Sequence, residues 1–167
     1  MEIKIDKNLD GKTVKEILFN HLNLSKKLVS YLKRGENIFL NDEFVTVRKV
    51  VLTGDVLKIN IIEQRSENIV AEDIPLDILY EDEDILAVNK PYNMPTHTSF
   101  RHHNKTLANA VMNYFKNRDF VYRAVNRLDK DTTGIVLIAK NRIAADFLNK
   151  QIKEKKMKKI YKAICVG

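Results

Sequence analysis

The sequence predicts an α+β protein in two parts, because strand-like and helix-like patterns fall into two separate blocks. Up to residue 62 the order is two helices followed by a β-hairpin. From residue 74 onward, short β-branched runs are interspersed with two amphipathic helices. The chain has 167 residues, of which 44% are apolar, enough for one ordinary domain or two small ones.

The first block begins with two helices that carry recognisable N-terminal caps. Thr13–Glu16 has the form of a capping box and predicts a helix to about His21. Ser25 caps a second helix, which ends at Gly35. One face of this helix is apolar, and the opposite side carries Lys26, Lys27, Lys33 and Arg34.

A predicted hairpin follows, with its turn at Asn41–Glu43, and the strand Val56–Ile62 closes the block. The Leu-Ser helix start, the apolar face, the glycine stop and the strand ending in Asn41 resemble a small RNA-binding domain. That domain is named after a small-subunit ribosomal protein and is here called S-four-like. The alternative is a generic αα-hairpin with a β-ribbon.

The second block is separated from the first by a polar, acidic stretch. We predict an S-four-like domain at 1–62, an acidic linker at 63–73 and a second domain at 74–167. In the second domain the strands are expected at 78–80, 85–89 and 135–139. Helices are expected at 106–116 and after Asn141.

The net charge of +7 is unevenly distributed. Residues 63–84 carry nine acids and one base, whereas residues 101–167 carry sixteen bases and five acids. Seven lysines lie between Lys150 and Lys162, among them Lys158 and Lys159. Segregated positive charge favours a nucleic-acid partner, and the alternative is a solvated basic surface.

The remaining composition argues against disulfides and membrane spans. Cys165 is the single cysteine, so no internal disulfide forms, and no apolar run approaches the roughly 18 residues of a membrane-spanning helix. The N-terminus lacks a secretory signal pattern. A cytoplasmic protein that binds no membrane is therefore predicted.

The polar stretch Asn126–Gly134, NRLDKDTTG, leads into the strand Ile135–Ala139, which is expected to be buried. An acid between Arg127 and Lys130 is expected to stay ionised, so Asp129 suits the role of nucleophile or base. An ordinary Asx-turn loop is the alternative that this stretch alone leaves open.

Three motifs resemble those of the RluA-type pseudouridine synthases, and they occur in that family's order. The central motif is RLDKDTTGIVLIAKN, in which the family's catalytic residue is the first aspartate. Asn89–Ser99, NKPYNMPTHTS, resembles the first motif. Lys159–Gly167, KIYKAICVG, resembles the third, in which a glycine ends a strand.

The resemblance implies roles for individual residues. Asp129 is the expected catalytic carboxylate, and Tyr161 packs on the target base and is a candidate general base. Arg127 pairs with the aspartate and helps to fill the place of the flipped-out base. No metal or other cofactor is implied, and the histidines match no familiar zinc spacing. The residues predicted to contact RNA are Lys26, Lys27, Lys33, Arg34, Asn89, Lys90, His97, Lys158 and Lys159.

The chain departs from the family's pattern in three ways. Asn126 stands where a histidine is frequent, and Thr133 stands where a serine is frequent. Family catalytic domains also continue beyond the third motif, so the resemblance implies that further strands are missing after Gly167.

The resemblance implies an enzyme that isomerises uridine in structured RNA, with ribosomal RNA expected ahead of transfer RNA. Two alternatives remain: a non-catalytic RNA-binding fragment, and a basic scaffold that binds proteins. The oligomeric state is left open.

Overall fold

Two antiparallel sheets, one in each half of the chain, form the frame of the computed structural model, which describes residues 1–63, 66, 68–100 and 102–166. The predicted α+β class is confirmed. Gly167 of the third motif lies outside the described residues. The strands are β1 (Glu2–Lys4), β2 (Ile38–Leu40), β3 (Glu43–Phe44), β4 (Val56–Ile59), β5 (Ile78–Glu81), β6 (Ile85–Lys90) and β7 (Gly134–Ala139), and the helices are α1 (Val14–Glu16, continued by a π-helical turn at Ile17–His21), α2 (Lys26–Arg34), α3 (Leu107–Tyr114) and α4 (Arg142–Lys153).

The sheet of the N-terminal half has the order β1-β4-β2-β3, with every neighbouring pair antiparallel. Asn41 and Asp42 join β2 to β3, and their φ angles of 51° and 66° lie in the left-handed region. A type I′ hairpin turn requires this combination. The predicted turn also included Glu43, which lies in β3, and β4 ends at Ile59 rather than at the predicted Ile62.

The predicted helix caps of this half are present. The Thr13 hydroxyl accepts a hydrogen bond from the Glu16 amide, and Glu16 accepts one from the Thr13 amide at 2.8 Å, which completes the capping box. Ser25 Oγ accepts from the Leu28 amide at 3.2 Å. Among the described residues, no helix combines the length and the apolar character that crossing a bilayer requires. The buried face of α2 consists of Leu28, Val29 and Leu32.

The sheet of the C-terminal half places the end of β6 beside the loop that carries Asp129. Its order is β5-β6-β7, and β6 pairs with β7 from Ile85 opposite Ala139 to Lys90 opposite Gly134. Gly134 ends the loop with a φ of 124°, a conformation that side chains disfavour. The first and central motifs therefore meet at one end of this sheet.

Strand β7 packs against the core on one face only. Val136 and Ile138 are fully buried, whereas Ile135 is 56% exposed, so the expectation of a strand buried throughout is wrong. Successive side chains on a strand point to opposite faces, and only one face of β7 meets helix α3 and its neighbours. The core contains Leu86, Val88, Leu107, Val111, Phe115, Val136 and Ile138.

The described residues of the stretch 63–73 are attached to the C-terminal half. Glu63 accepts a hydrogen bond from the Arg142 amide at 2.9 Å, and the Glu72 amide donates to the Asn109 carbonyl at 3.1 Å. The domain boundaries given above stay predictions.

Truncating the core of this sheet should unfold the chain more readily. Leu86→Ala removes a fully buried side chain from β6 and should lower the free energy of unfolding by about 2–5 kcal/mol. Leu79→Ala in the neighbouring β5 is the matched control, because Leu79 is 52% exposed. Urea unfolding followed by circular dichroism measures both, and equal midpoints for the two variants would contradict this packing.

Candidate active site

Asp129 lies on an exposed loop whose two ends are attached to β7. The Asn126 side chain donates to the Ile135 carbonyl at 2.9 Å and accepts from the Leu137 amide at 2.8 Å. Its carboxamide thus pairs with β7 as a neighbouring strand would. Leu128 is buried at 8% exposure, while Asp129 is exposed. The loop therefore has an anchored backbone and an exposed carboxylate.

Thr96 holds the backbone on one side of Asp129. Its hydroxyl donates to the Leu128 carbonyl at 2.7 Å and accepts from the Leu128 amide at 3.2 Å. The Thr96 carbonyl in turn accepts from the Tyr122 hydroxyl at 2.8 Å. Burial raises the pKa of Tyr122, so this hydroxyl keeps the proton that it donates.

Lys90 holds the backbone on the other side of Asp129. Its fully buried ammonium donates to the carbonyls of Pro91 at 3.0 Å, Met94 at 2.7 Å and Lys130 at 3.1 Å. An ammonium has three N–H donors, and each is used here. Leu128 and Lys130, the two neighbours of Asp129, are thus both bonded to the first motif.

This position corrects the prediction that Lys90 contacts RNA, because a fully buried ammonium does not reach a phosphate outside the protein. Burial lowers the pKa of Lys90, whereas the charges of Asp131 and Asp129 favour its protonated form. The neighbouring Asn89 is exposed, and its side chain donates to the Asp77 carboxylate at 2.9 Å.

His97 and Arg127 lie close together near the loop. The imidazole packs edge-to-face on the Tyr122 ring, with 5.4 Å between ring centroids. Burial lowers the pKa of His97, and the positive charge of Arg127 lowers it further. No ion pair joins Arg127 to Asp129 within the loop 126–134, all of which is described, so the predicted pairing is absent.

Tyr161 lines a groove next to the loop. The groove has a volume of about 450 Å³, and Leu128 and Ile135 form part of its wall. Tyr161 itself is 59% exposed. Lys158 and Lys159 line the same groove, so the structure brings these two predicted RNA contacts together with Tyr161.

The expected strand of the third motif is absent from residues 158–166. Ile164 and Val166 are fully exposed, and no other described segment pairs with this stretch. A strand forms only when its backbone groups find partners on a neighbouring strand.

The four predicted cations of α2 are exposed on the N-terminal half, away from the buried face of that helix. The structure thus divides the predicted RNA contacts between α2 and the groove of Tyr161. Thr96 and Tyr122 were missed by the sequence interpretation. No local pattern marks Thr96, because its partner Leu128 is 32 residues away in the chain.

Comparison with known proteins places both halves of the chain in one group. The family described as RNA pseudouridylate synthase matches residues 84–167, and the RluD ribosomal pseudouridine synthase N-terminal domain matches residues 1–57.

Three curated relatives cover most of this chain. The uncharacterized RNA pseudouridine synthase YjbO of Bacillus subtilis is 37% identical over 93% of the chain and 56% of its own length. The uncharacterized RNA pseudouridine synthase YhcT of the same organism is 32% identical over 100% of the chain and 56% of its own length. The ribosomal large subunit pseudouridine synthase D of Blochmanniella floridana is 36% identical over 86% of the chain and 47% of its own length. The chain thus spans about half the length of these relatives.

Removing the Thr96 hydroxyl should loosen the loop. Thr96→Val keeps the shape but leaves the buried Leu128 amide and carbonyl without this partner, so the free energy of unfolding should fall by about 1–3 kcal/mol. Thr96→Ser restores a hydroxyl and should recover most of the loss. Thr98→Val is the control from the same loop, outside these contacts. Urea midpoints that are equal for Thr96→Val and Thr98→Val would refute the role of Thr96.

Removing the charge of Arg127 should raise the pKa of His97. Arg127→Gln eliminates one of the two causes that lower it, and burial, the larger cause, remains. Titration of the His97 ring protons by NMR measures the change, with Arg118→Gln as a charge-matched control. In the folded chain the pKa of His97 lies below its ordinary value of 6.5, so protonation of His97 favours the unfolded chain. The free energy of unfolding should therefore fall as the pH drops below about 6.5. An unchanged pKa in Arg127→Gln would show that the two side chains do not interact.

Proposed function

This chain belongs to the RNA pseudouridylate synthase family, and we propose that its reaction is the isomerisation of uridine to pseudouridine in RNA, with Asp129 as the catalytic carboxylate. One observation carries the assignment to Asp129. Its side chain is exposed on the loop, while the residues before and after it are bonded to the buried groups of Thr96 and Lys90. A reactive group presented in this way needs little reorganisation when a substrate arrives.

The reaction breaks the bond between the ribose and a nitrogen of uracil, rotates the base and joins it again through carbon. The proton on that carbon is then lost to a base. The proposed substrate is a flipped-out uridine, which needs a carboxylate next to the sugar. Asp129 serves either by attacking the nucleotide or by removing a ribose proton, and both routes need an accessible carboxylate.

Tyr161 is proposed to pack on the target base and to accept the last proton. Its support is the groove of about 450 Å³ that it lines together with Leu128, the neighbour of Asp129. Arg127 is proposed to fill the space that the flipped base leaves in the RNA. It is exposed and forms no ion pair with Asp129, so its guanidinium is available to RNA.

The RNA is proposed to be ribosomal, ahead of transfer RNA, and the setting cytoplasmic. The proposal of ribosomal RNA is supported by the Blochmanniella floridana relative, which is named for the large ribosomal subunit. The proposed RNA contacts are Lys26, Lys27, Lys33, Arg34, Asn89, His97, Lys158 and Lys159. The α2 cations among them are exposed, as phosphate contacts require.

A second candidate function is RNA binding without turnover. The observation that favours it is the exposure of the third motif, where Ile164 and Val166 are uncovered and Tyr161 is half-exposed. A general base that is not held in place contributes little to a proton transfer.

The substitution Asp129→Asn should abolish turnover and leave RNA affinity within about threefold, because it removes a carboxylate and no phosphate contact. Release of tritium from carbon 5 of labelled uridine in unmodified ribosomal RNA measures turnover, and filter binding measures affinity. Asp119→Asn is the matched control, since Asp119 is an exposed acid of the same half of the chain and lies outside the loop of Asp129.

Normal release by Asp129→Asn would remove this residue from the mechanism. Binding without release by the unaltered chain would favour the second candidate function. Absence of RNA binding would exclude both and leave a basic scaffold.

A further inference from the structure

A basic cleft lies between helices α2 and α4, at the junction of the two halves of the chain. Its volume is about 430 Å³. We call it the junction cleft. Its wall includes Lys27, Tyr31, Arg34, Arg123, Arg142 and Asn149.

The two walls of the junction cleft are joined by direct contacts. The Asp146 carboxylate of α4 accepts hydrogen bonds from both the amide, at 2.7 Å, and the hydroxyl of Ser25, the residue that caps α2. The Arg142 guanidinium lies over the Tyr31 ring, 4.1 Å from its centroid. A cation above an aromatic face is attracted by the ring's quadrupole. The cleft is therefore built by side chains of both halves.

The charges of the cleft leave an excess of cations. Glu63 binds the Arg123 guanidinium and lies 3.8 Å from Arg142 Nε, so one carboxylate is shared by two arginines. Among the described residues, the buried Nε of Arg142 has no hydrogen-bond partner. Asp146, the one acid among the described residues of the wall, already accepts from Ser25.

The α2 side of the cleft adds two exposed cations, Lys27 and Arg34. They face the arginines of the other half across the cleft, so positive charge lines both walls. Such a concave site concentrates the field on an anion that enters it. Guanidinium groups suit phosphate in particular, because their planar fork matches its oxygens.

We propose that the junction cleft binds the phosphodiester backbone of the RNA, with Arg142 and Arg123 on one side and Lys27 and Arg34 on the other. This inference rests on the proposed function, since it names a second place where the same RNA is held. The RNA then contacts the junction cleft as well as the groove of Tyr161. Binding in the junction cleft depends on the charge of the phosphates and does not distinguish between bases.

Two substitutions test the cleft in different ways. Arg142→Gln removes a cation and should reduce the slope of log affinity against log salt concentration by about one. Asn149→Asp adds an anion to the wall and should weaken binding several-fold. The only hydrogen bond described for the Asn149 side chain is to the Ala145 carbonyl of its own helix, so the contacts that join the walls remain in place.

Asn117→Asp is the matched control, because Asn117 is an exposed residue in the turn after α3, outside the cleft wall. It adds the same charge and should bind as the unaltered chain does. The probe is an unmodified transcript of large-subunit ribosomal RNA, titrated between about 50 and 200 mM salt. Circular dichroism confirms that each variant is folded.

Reduced affinity in both cleft variants, with Asn117→Asp unchanged, supports the proposal. Unchanged affinity and slope in both would overturn it and leave the proposed function intact. An effect of Arg142→Gln alone would assign Arg142 to joining the halves, which also overturns the proposal. If polyglutamate binding, in place of RNA binding, depends on the cleft, the site takes an acidic peptide and the proposal fails. Absence of RNA binding by the unaltered chain would remove both proposals together.

Discussion

The buried ammonium of Lys90 is the constraint on which the rest of the candidate site depends. A charge out of contact with water is strongly unfavourable unless every donor finds a partner. Lys90 meets this condition with three carbonyls, two from the segment that follows it and one from Lys130 in the loop of Asp129. The first motif and the central motif must therefore fold against each other, because neither alone satisfies the charge.

Around this charge the loop has an anchored backbone and an exposed tip. Asn126 attaches one end to β7, and Thr96 binds both backbone groups of Leu128. Asp129 and Arg127 project from the tip into solvent. A site of this kind is organised before its ligand arrives, so binding orders few additional groups. The junction cleft has the same character, since its own side chains, Ser25 and Asp146, connect its walls.

Local features could be predicted from the sequence, and long-range ones could not. The caps at Thr13 and Ser25 and the turn at Asn41 depend on a few adjacent residues, so their patterns were visible. Lys90 is among the predicted RNA contacts, and no local pattern marks it as buried, since lysine is seldom buried and its carbonyl partner at Lys130 is 40 residues away. Ser25 and Asp146 are 121 residues apart. For Tyr161 the motif predicted a strand, but a strand depends on a partner that no short pattern specifies.

The hydrogen bond from the Leu128 amide to Thr96 has a consequence for the dynamics of the loop. This amide exchanges its proton with solvent only when the loop separates from the first motif, since both groups are buried. That separation would also detach Lys130 from Lys90 if the loop moves as one unit. The deuterium exchange rate at the Leu128 amide thus reports how often the Asp129 loop separates from the first motif.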